Sequence, residues 1–288
     1  MWLNNSPIFT CVLILLHTFG AINGSNLSVE EVRARIARIP PKLKNVLTRM
    51  TNEVEPQLTT VIGNNTRIIG GVQTSIEEYP HQIAILYLNS QVCGGSVISD
   101  SWIVTAAHCL DWQPLTSQIT IRYGSSLRNT GGSIHATFYY HLHESYDPLD
   151  YPYDVATLRV KTPFSGPANS IIPLTTSEWT AGEVTVTGWG WDENQRQPDV
   201  LHKVTLPVVD RITCNVKWEG TVTDDMICAG GQGIDSCNGD SGGPAIQNGV
   251  LFGVVSWGAD ICGNGLPGVY TNIAHTSIRN FIKRTTMV

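Results

Sequence analysis

The stretch Gly239-Asp240-Ser241-Gly242-Gly243-Pro244 places a serine between glycines. Glycines on both sides of a serine let backbone N–H groups approach a substrate carbonyl that larger side chains would block. A serine hydroxyl is a poor nucleophile unless a base takes its proton, so the stretch predicts a histidine elsewhere in the chain. On its own, the same stretch is also compatible with an ordinary glycine turn.

Two further stretches supply the groups that such a serine needs. Thr105-Ala106-Ala107-His108-Cys109 places a histidine at the end of an apolar run, beside a cysteine. Asp154 precedes Val155-Ala156-Thr157-Leu158, so we expect it at the start of a buried strand, where its carboxylate can fix the tautomer of an imidazole. An isolated histidine is more often an ordinary surface or core residue. The three stretches together, in the order His, Asp, Ser, resemble the chymotrypsin-like (trypsin-fold) serine peptidases over about residues 68–288.

The fold class is predicted to be all-β. From Ile68 onward, short apolar and β-branched runs alternate with Gly, Pro and Asn, as is typical of a sandwich or of barrels. Examples of these runs are Gln82–Leu88, Trp102–Thr105, Gln118–Tyr123, Asp154–Val160, Glu183–Thr187 and Val250–Ser256. We expect two packed six-stranded antiparallel β-barrels with a boundary near residues 175–185. Only the end of the chain looks helical, because Ile278, Phe281 and Ile282 share one face.

The composition excludes several classes of protein. The chain has 288 residues, of which 42% are hydrophobic and 15% are charged, so the bulk of it can bury a core and is not intrinsically disordered. Its net charge is −6, which argues against a nucleic-acid partner of the usual basic kind. Residues 1–67 carry seven Lys/Arg and four Asp/Glu, whereas residues 68–288 carry eleven and twenty. This asymmetry indicates two parts with different roles.

The first part is predicted to be removed in steps. Residues 1–24 contain an apolar run, Ile8–Leu16, followed by small residues, and are predicted to be a secretory signal peptide. The run is too short for a membrane span, so we expect a secreted, extracellular protein with no membrane partner. Residues 25–67 lack cysteine, tryptophan and tyrosine and are interpreted as an activation pro-segment.

The resemblance implies how the pro-segment is released. Arg67-Ile68-Ile69-Gly70-Gly71 is similar to the activation site of the family, where cleavage after a basic residue frees a new amino terminus. That terminus is expected to pair with the buried carboxylate of Asp240 and to order the amides of Gly239 and Ser241 into an oxyanion hole. The alternative is an ordinary strand start with a glycine turn.

Six cysteines remain after the signal peptide, an even number that indicates disulfides in an oxidising compartment. Counting alone leaves 15 connectivities open. The family resemblance implies the pairs Cys93–Cys109, Cys214–Cys228 and Cys237–Cys262.

The resemblance also implies a preference for Arg or Lys substrates. Asp235 lies at the position that forms the floor of the substrate pocket in trypsin-like members. A carboxylate at the bottom of an open slot selects a cationic side chain. The alternative interpretation of Asp235 is a solvated acidic residue in a loop. Gly258 and Gly268 match the wall glycines, and Ser256, Trp257 and Gly258 are expected to pair with substrate backbone. Ala259-Asp260-Ile261 and the short spacing from Cys262 to Pro267 depart from typical trypsins and put the strictness of that preference in question.

No metal site and no cofactor are expected. His135, His141 and His143 suggest a metal cluster at first sight, but His143 begins a stretch that resembles a surface turn of the family. The loop Gly124–Gly132 lacks the acidic residues of calcium-binding members.

We therefore predict a secreted zymogen of a serine endopeptidase. Its expected partners are protein or peptide substrates with Arg or Lys before the cleaved bond, an activating protease, and protein inhibitors. A digestive, venom or other secretory role is favoured over that of a cascade regulator, because the pro-segment has no additional disulfide module. We expect the protein to be a monomer. The rival hypothesis is a non-catalytic homologue that acts as a binding protein.

Overall fold

The computed structural model describes residues 69–167, 170–178, 181–192 and 194–288. The predicted signal peptide, the pro-segment, Arg67 and Ile68 lie outside the described residues. Within these ranges, no helix is long and apolar enough to cross a membrane. The described fold begins with the short strand β1 (Val72–Gln73).

Six antiparallel strands close the first barrel. They are β2 (Gln82–Tyr87), β3 (Ser90–Val97), β4 (Trp102–Thr105), β5 (Ile119–Tyr123), β6 (Ser133–Leu142) and β7 (Ala156–Val160). Their order around the barrel is β2-β3-β4-β7-β6-β5. In β5, Ile119, Ile121 and Tyr123 are buried and alternate with half-buried residues, which is the two-residue period of a strand with one face in a core. In contrast, β2 is buried along most of its length.

The second barrel has the same number of strands. They are β8 (Glu183–Gly188), β9 (His202–Val209), β10 (Met226–Ala229), β11 (Pro244–Gln247), β12 (Val250–Trp257) and β13 (Gly268–Asn272). The order β9-β10-β13-β12-β11-β8 closes because β8 also pairs with β9, and β1 extends the sheet beside β9. The prediction of two six-stranded antiparallel barrels is confirmed.

A helix at the end of the chain packs on the hydrophobic core that the first barrel encloses. Helix α2 spans Thr276–Thr286, after α1 (Arg211–Lys217). Ile278, Phe281 and Ile282 of α2 are buried with the side chains of the first barrel. This confirms the predicted short C-terminal helix.

Helix α1 was not predicted, because only the end of the chain looked helical. The carboxylate of Asp210 caps it by accepting a hydrogen bond from the Thr213 N–H at 2.9 Å. Its apolar residues Ile212 and Val216 are 80% and 75% exposed. These two residues have helical spacing, but a seven-residue helix is too short to show the repeated apolar period that usually marks a helix.

Three disulfides hold the loops around the strands. They join Cys93 to Cys109, Cys214 to Cys228 and Cys237 to Cys262, the same pairs that the family resemblance implies. The first ties β3 to the segment after β4, and the second ties α1 to β10. The third connects the loop that carries Asp235 and Ser241 to the loop between β12 and β13. Each therefore fixes a segment that carries a predicted site residue or supports one.

Candidate active site

His108 lies in a 3-10 turn, Ala107–Cys109, directly after β4. Its neighbour Cys109 is bonded to Cys93 of β3, so the backbone on the C-terminal side of the histidine is covalently anchored to the barrel. The side chain of His108 is 11% exposed. The imidazole is thus held at the rim of the first barrel with one edge open to solvent.

Asp154 contacts His108 twice. Its Oδ2 lies 2.7 Å from His108 Nδ1, and its Oδ1 accepts a hydrogen bond from the His108 backbone N–H at 2.9 Å. Two further hydroxyls bind Asp154: Ser256 Oγ donates to Oδ2 at 2.5 Å, and Thr271 Oγ1 donates to the backbone carbonyl at 2.5 Å. Sequence reasoning assigned Ser256 to substrate binding and missed Thr271. No local signal links these hydroxyls to an aspartate more than 100 residues away.

These contacts determine the charge of Asp154 and the tautomer of His108. Burial would raise the pKa of Asp154, but the His108 imidazole and the hydrogen bonds from His108 and Ser256 lower that pKa below its usual value. An ionised carboxylate only accepts hydrogen bonds, so His108 Nδ1 must carry a proton. In the neutral ring, Nε2 is then the atom that can accept one.

Ser241 lies in a loop that packs against the strand leading to His108. Its carbonyl accepts a hydrogen bond from the Gly94 N–H at 2.8 Å. A Cβ on Gly242 would lie 2.1 Å from Thr105 Oγ1, so only glycine allows this approach. Within the described part of the chain, no hydrogen bond joins the half-buried Ser241 to His108. The structure therefore places their two segments in contact without a hydroxyl–imidazole bond.

Asp240 is fully buried, and backbone groups alone satisfy its carboxylate. Oδ1 accepts from the Gly190 N–H at 2.7 Å and Oδ2 from the Cys237 N–H at 3.0 Å. Burial raises the pKa of Asp240 to about 6. A Cβ on Gly188 or Gly190 would lie 2.1 Å from one of its oxygens. No described cationic side chain pairs with this carboxylate.

The peptide between Asn238 and Gly239 has a defined orientation. The Trp191 N–H donates to the Asn238 carbonyl at 2.8 Å. In a planar trans peptide, the carbonyl and the following N–H point in opposite directions, so the Gly239 N–H faces away from Trp191. Gly239 has φ +99°, a conformation that glycine adopts without strain.

Asp235 is buried, and one of its two carboxylate oxygens is unsatisfied. Its Oδ2 accepts from the Gly263 N–H at 3.0 Å, while the buried Oδ1 has no hydrogen-bond partner in the part of the chain described. A Cβ on Gly268 would lie 2.8 Å from Oδ1, and one on Gly258 would lie 3.8 Å from the Gly268 Cα. Burial raises the pKa of Asp235 to about 7. The buried Oδ1 lacks a hydrogen-bond donor and lies beside two glycines, so a cationic group of a ligand fits next to it.

Residues that sequence reasoning did not single out support the loop that precedes Gly268. The Trp218 indole N–H donates to the Pro267 carbonyl at 3.0 Å, and its ring meets Trp257 edge to face at 4.8 Å. Lys217 Nζ donates to the Gly265 carbonyl at 3.1 Å. In the segment Ala259–Ile261, which departs from typical trypsins, the side chain of Ile261 is 71% exposed. The end of α1 thus holds the loop that precedes Gly268.

Strand β12 is no longer paired with β11 at its end, where the predicted substrate-binding residues Ser256, Trp257 and Gly258 lie. Strand β11 pairs with β12 as far as Val254, and hydrogen bonds between Val255 and the segment Gly242–Gly243 follow. Beyond that point, no described strand pairs with this side of β12. An extended peptide could add at this edge.

Two of the three histidines that suggested a metal cluster, His135 and His143, are engaged elsewhere. His135 contacts Ser133 Oγ at 2.8 Å and the Thr162 carbonyl at 2.9 Å, and His143 contacts Ser277 Oγ at 3.1 Å. Among the described residues, the group close enough to share a metal is Cys93, His108 and Cys109. Both of these cysteines are in a disulfide and offer no thiolate.

Comparison with known proteins gives one consistent family. The sequence model of the family described as Trypsin matches residues 68–282. The chain is 36% identical to a trypsin of Sarcophaga bullata over 228 residues, which are 76% of this chain and 89% of that protein. It is 38% identical to trypsin delta of Drosophila erecta over 215 residues, which are 72% of this chain and 85% of that protein. It is also 38% identical to hypodermin-A of Hypoderma lineatum over 218 residues, 73% and 84% of the two chains.

Each of these relatives is identical to this chain at more than a third of the aligned positions. The family model ends within α2, so it includes all thirteen described strands. The chain belongs to the trypsin family and is a trypsin-like serine endopeptidase.

Proposed function

We propose that the protein is a secreted zymogen whose mature form hydrolyses peptide bonds after Arg or Lys by means of Ser241, His108 and Asp154. The observation that carries the substrate assignment is the buried, unpartnered Oδ1 of Asp235 beside Gly268. A guanidinium or ammonium group would give this oxygen both a donor and an opposite charge. The departing wall at Ala259–Ile261 leaves room for a less strict preference.

The chemistry assigned to the triad is supported by the hydrogen bonds between Asp154 and His108, which place a proton on Nδ1 and leave Nε2 of the neutral ring as the acceptor. Ser241 Oγ attacks the substrate carbonyl while His108 Nε2 takes its proton, and the ionised Asp154 stabilises the imidazolium that results. The N–H groups of Gly239 and Ser241 bind the oxyanion. His108 then gives its proton to the leaving amine, which leaves an acyl-enzyme ester on Ser241. Water, activated by the same imidazole, hydrolyses that ester and restores the serine.

Activation is assigned to cleavage between Arg67 and Ile68. The new amino terminus would supply the cation that Asp240 lacks among the described residues. Support comes from Ile69, the first described residue, whose carbonyl accepts from the Asp235 N–H at 3.2 Å. A Cβ on Gly263 would lie 2.6 Å from Ile69 Cγ2, so this segment is closely packed beside the pocket.

The biological setting follows from the same assignments. Residues 1–24 direct secretion, residues 25–67 are the pro-segment, and residues 68–288 form the peptidase domain. Extracellular protein or peptide substrates, a protease that cleaves after Arg67, and protein inhibitors are the partners. The protein acts as a monomer in this proposal, and the lack of an additional disulfide module in the pro-segment favours a digestive role over that of a cascade regulator.

The first prediction separates an enzyme from a non-catalytic binding protein. After cleavage at Arg67, an organophosphate should label Ser241 stoichiometrically, because His108 makes its hydroxyl a nucleophile. Mass spectrometry of the intact protein and of its peptides measures the label and its site. The Arg67→Gln variant is the control: it should remain uncleaved and take up far less label. Cleaved wild-type protein that stays unlabelled would establish the binding-protein alternative.

The second prediction concerns the pocket floor. Removing one partner of a buried charge pair costs about 2–5 kcal/mol, and about 1.36 kcal/mol is tenfold in rate. Asp235→Ser should therefore lower kcat/KM for Arg and Lys substrates by roughly 30-fold to several thousand-fold. Substrates with Phe or Leu at the same position should lose much less. A preference of the unmutated enzyme for Phe or Leu would refute the pocket assignment and leave the peptidase assignment intact.

The third prediction concerns the pH dependence of cation binding in the pocket. Because burial raises the pKa of Asp235 to about 7, its carboxylate is ionised above that pH and protonated below it. Benzamidine, whose amidinium stays charged throughout, should bind roughly tenfold more weakly at pH 6 than at pH 8. Calorimetry on mature enzyme measures this affinity. The Asp235→Ser variant should bind weakly with no such dependence, and a flat wild-type profile from pH 8 to pH 5.5 would contradict the prediction.

A further inference from the structure

Three polar side chains from different segments form a chain of hydrogen bonds that ends on Gly239. We propose that Arg128, Gln197 and Gln91 are positioning residues that hold the Gly239–Asp240 peptide, and through it the oxyanion-binding N–H of Gly239. The inference rests on the proposed function, because it assigns a task to residues around the same reaction centre. None of the three belongs to the motifs that identified the site.

The contacts are continuous. Arg128 Nη1 donates to Gln197 Oε1 at 2.7 Å, Gln197 Nε2 donates to Gln91 Oε1 at 3.1 Å, and Gln91 Nε2 donates to the Gly239 carbonyl at 3.2 Å. All three side chains are partly buried. Gln91 lies in β3 of the first barrel, and Gln197 lies in the loop between β8 and β9 of the second. The chain of bonds therefore joins both barrels to the loop that precedes Ser241.

The direction of this chain is determined at both of its ends. The Arg128 guanidinium has only donors, so the amide atom of Gln197 that faces it must be the oxygen. The Gln197 amide nitrogen is then left for Gln91, which must turn its own oxygen toward that nitrogen. The Gln91 amide nitrogen in turn faces the Gly239 carbonyl, which only accepts. Each hydrogen bond can form in one donor–acceptor direction only, so exchanging the oxygen and nitrogen of either glutamine amide would break hydrogen bonds.

Arg128 itself is held in place. Its Nε donates to the Pro198 carbonyl at 3.2 Å, and its Nη2 lies 3.3 Å from Asp199 Oδ1. The backbone N–H of Arg128 also donates to the Asp199 carbonyl at 2.8 Å. The charged end of the chain is thus fixed to the same loop that carries Gln197.

Gly239 is held on both sides by this arrangement. Trp191 fixes the peptide that precedes it, and Gln91 fixes the carbonyl that follows it. Without a side chain, Gly239 could otherwise rotate readily between conformations. A Cβ on Gly239 would lie 3.0 Å from Gln197 Nε2, so the two glutamines also lie close against this residue. Loss of the Gln91 contact would leave Gly239 held on its amino side by Trp191 alone, and the position of its N–H relative to a developing oxyanion would become less well defined.

The test uses mature enzyme and two inhibitors that differ in what they contact. A peptide boronic acid forms a tetrahedral adduct with Ser241 that needs the Gly239 N–H, whereas benzamidine occupies only the pocket above Asp235. Gln91→Met keeps the length of the side chain and removes both polar atoms. We expect kcat to fall about tenfold, a fraction of the 10²–10³ lost with an oxyanion donor itself. KM should change less than twofold, the boronic acid should bind about tenfold more weakly, and benzamidine should bind as before.

A second pair of variants tests the direction of the chain. Gln197→Glu keeps the acceptor for Arg128 but loses the donor to Gln91, so we expect the same pattern of losses as with Gln91→Met. Gln195→Glu is the matched control, because it adds the same charge at an exposed position of the same loop, and we expect no change.

Two outcomes would overturn the proposal. One is an unchanged kcat and boronic-acid affinity in Gln91→Met. The other is an equal weakening of both inhibitors, which would indicate a general disturbance of the fold. A wild-type enzyme that neither hydrolyses substrates nor binds the boronic acid would instead refute the proposed function. Failure of the proposal and failure of the function are therefore distinguishable.

Discussion

The buried carboxylate of Asp240 imposes the constraint on which the rest of the site depends, since a charge removed from water must find compensating groups. Two backbone N–H groups, from Gly190 and Cys237, meet it, and the two glycines Gly188 and Gly190 leave the space that it occupies. The loop before Ser241 is therefore folded around one side chain. Since burial still raises the pKa of that carboxylate to about 6, an additional cation would stabilise its ionised form.

Backbone segments next to the contacts of Asp240 connect this carboxylate to the reacting groups. Gly190 binds Asp240, and the next residue, Trp191, donates to the Asn238 carbonyl and so orients the Gly239 N–H. On the other side, Gly242 packs against Thr105 and brings the Ser241 segment to the strand that leads to His108. Cleavage that supplies a cation to Asp240 would thus strengthen the loop that carries both the nucleophile and the proposed oxyanion donors.

The roles of residues whose sequence neighbours indicate their environment were predictable. The roles of residues that depend on contacts between distant segments were not. The glycines around Ser241 and the apolar runs beside His108 and Asp154 mark a reactive group or a buried strand in the sequence itself. The contacts of Ser256 and Thr271 with Asp154 join positions more than 100 residues apart, and no spacing rule predicts them. Helix α1 was missed because it has only seven residues, too few for an apolar period to be recognised.

The central claim is that the negative charge of Asp240, once paired with the new amino terminus, orders the site. Its most direct test is the burst of product from a p-nitrophenyl ester in Asp240→Asn protein cleaved completely between Arg67 and Ile68, with the new terminus verified by sequencing. Asparagine keeps the shape of the side chain and removes the charge, so the account predicts a burst below about a tenth of the wild-type amplitude. A full burst from the cleaved variant would show that the site orders without this ion pair and would contradict the account.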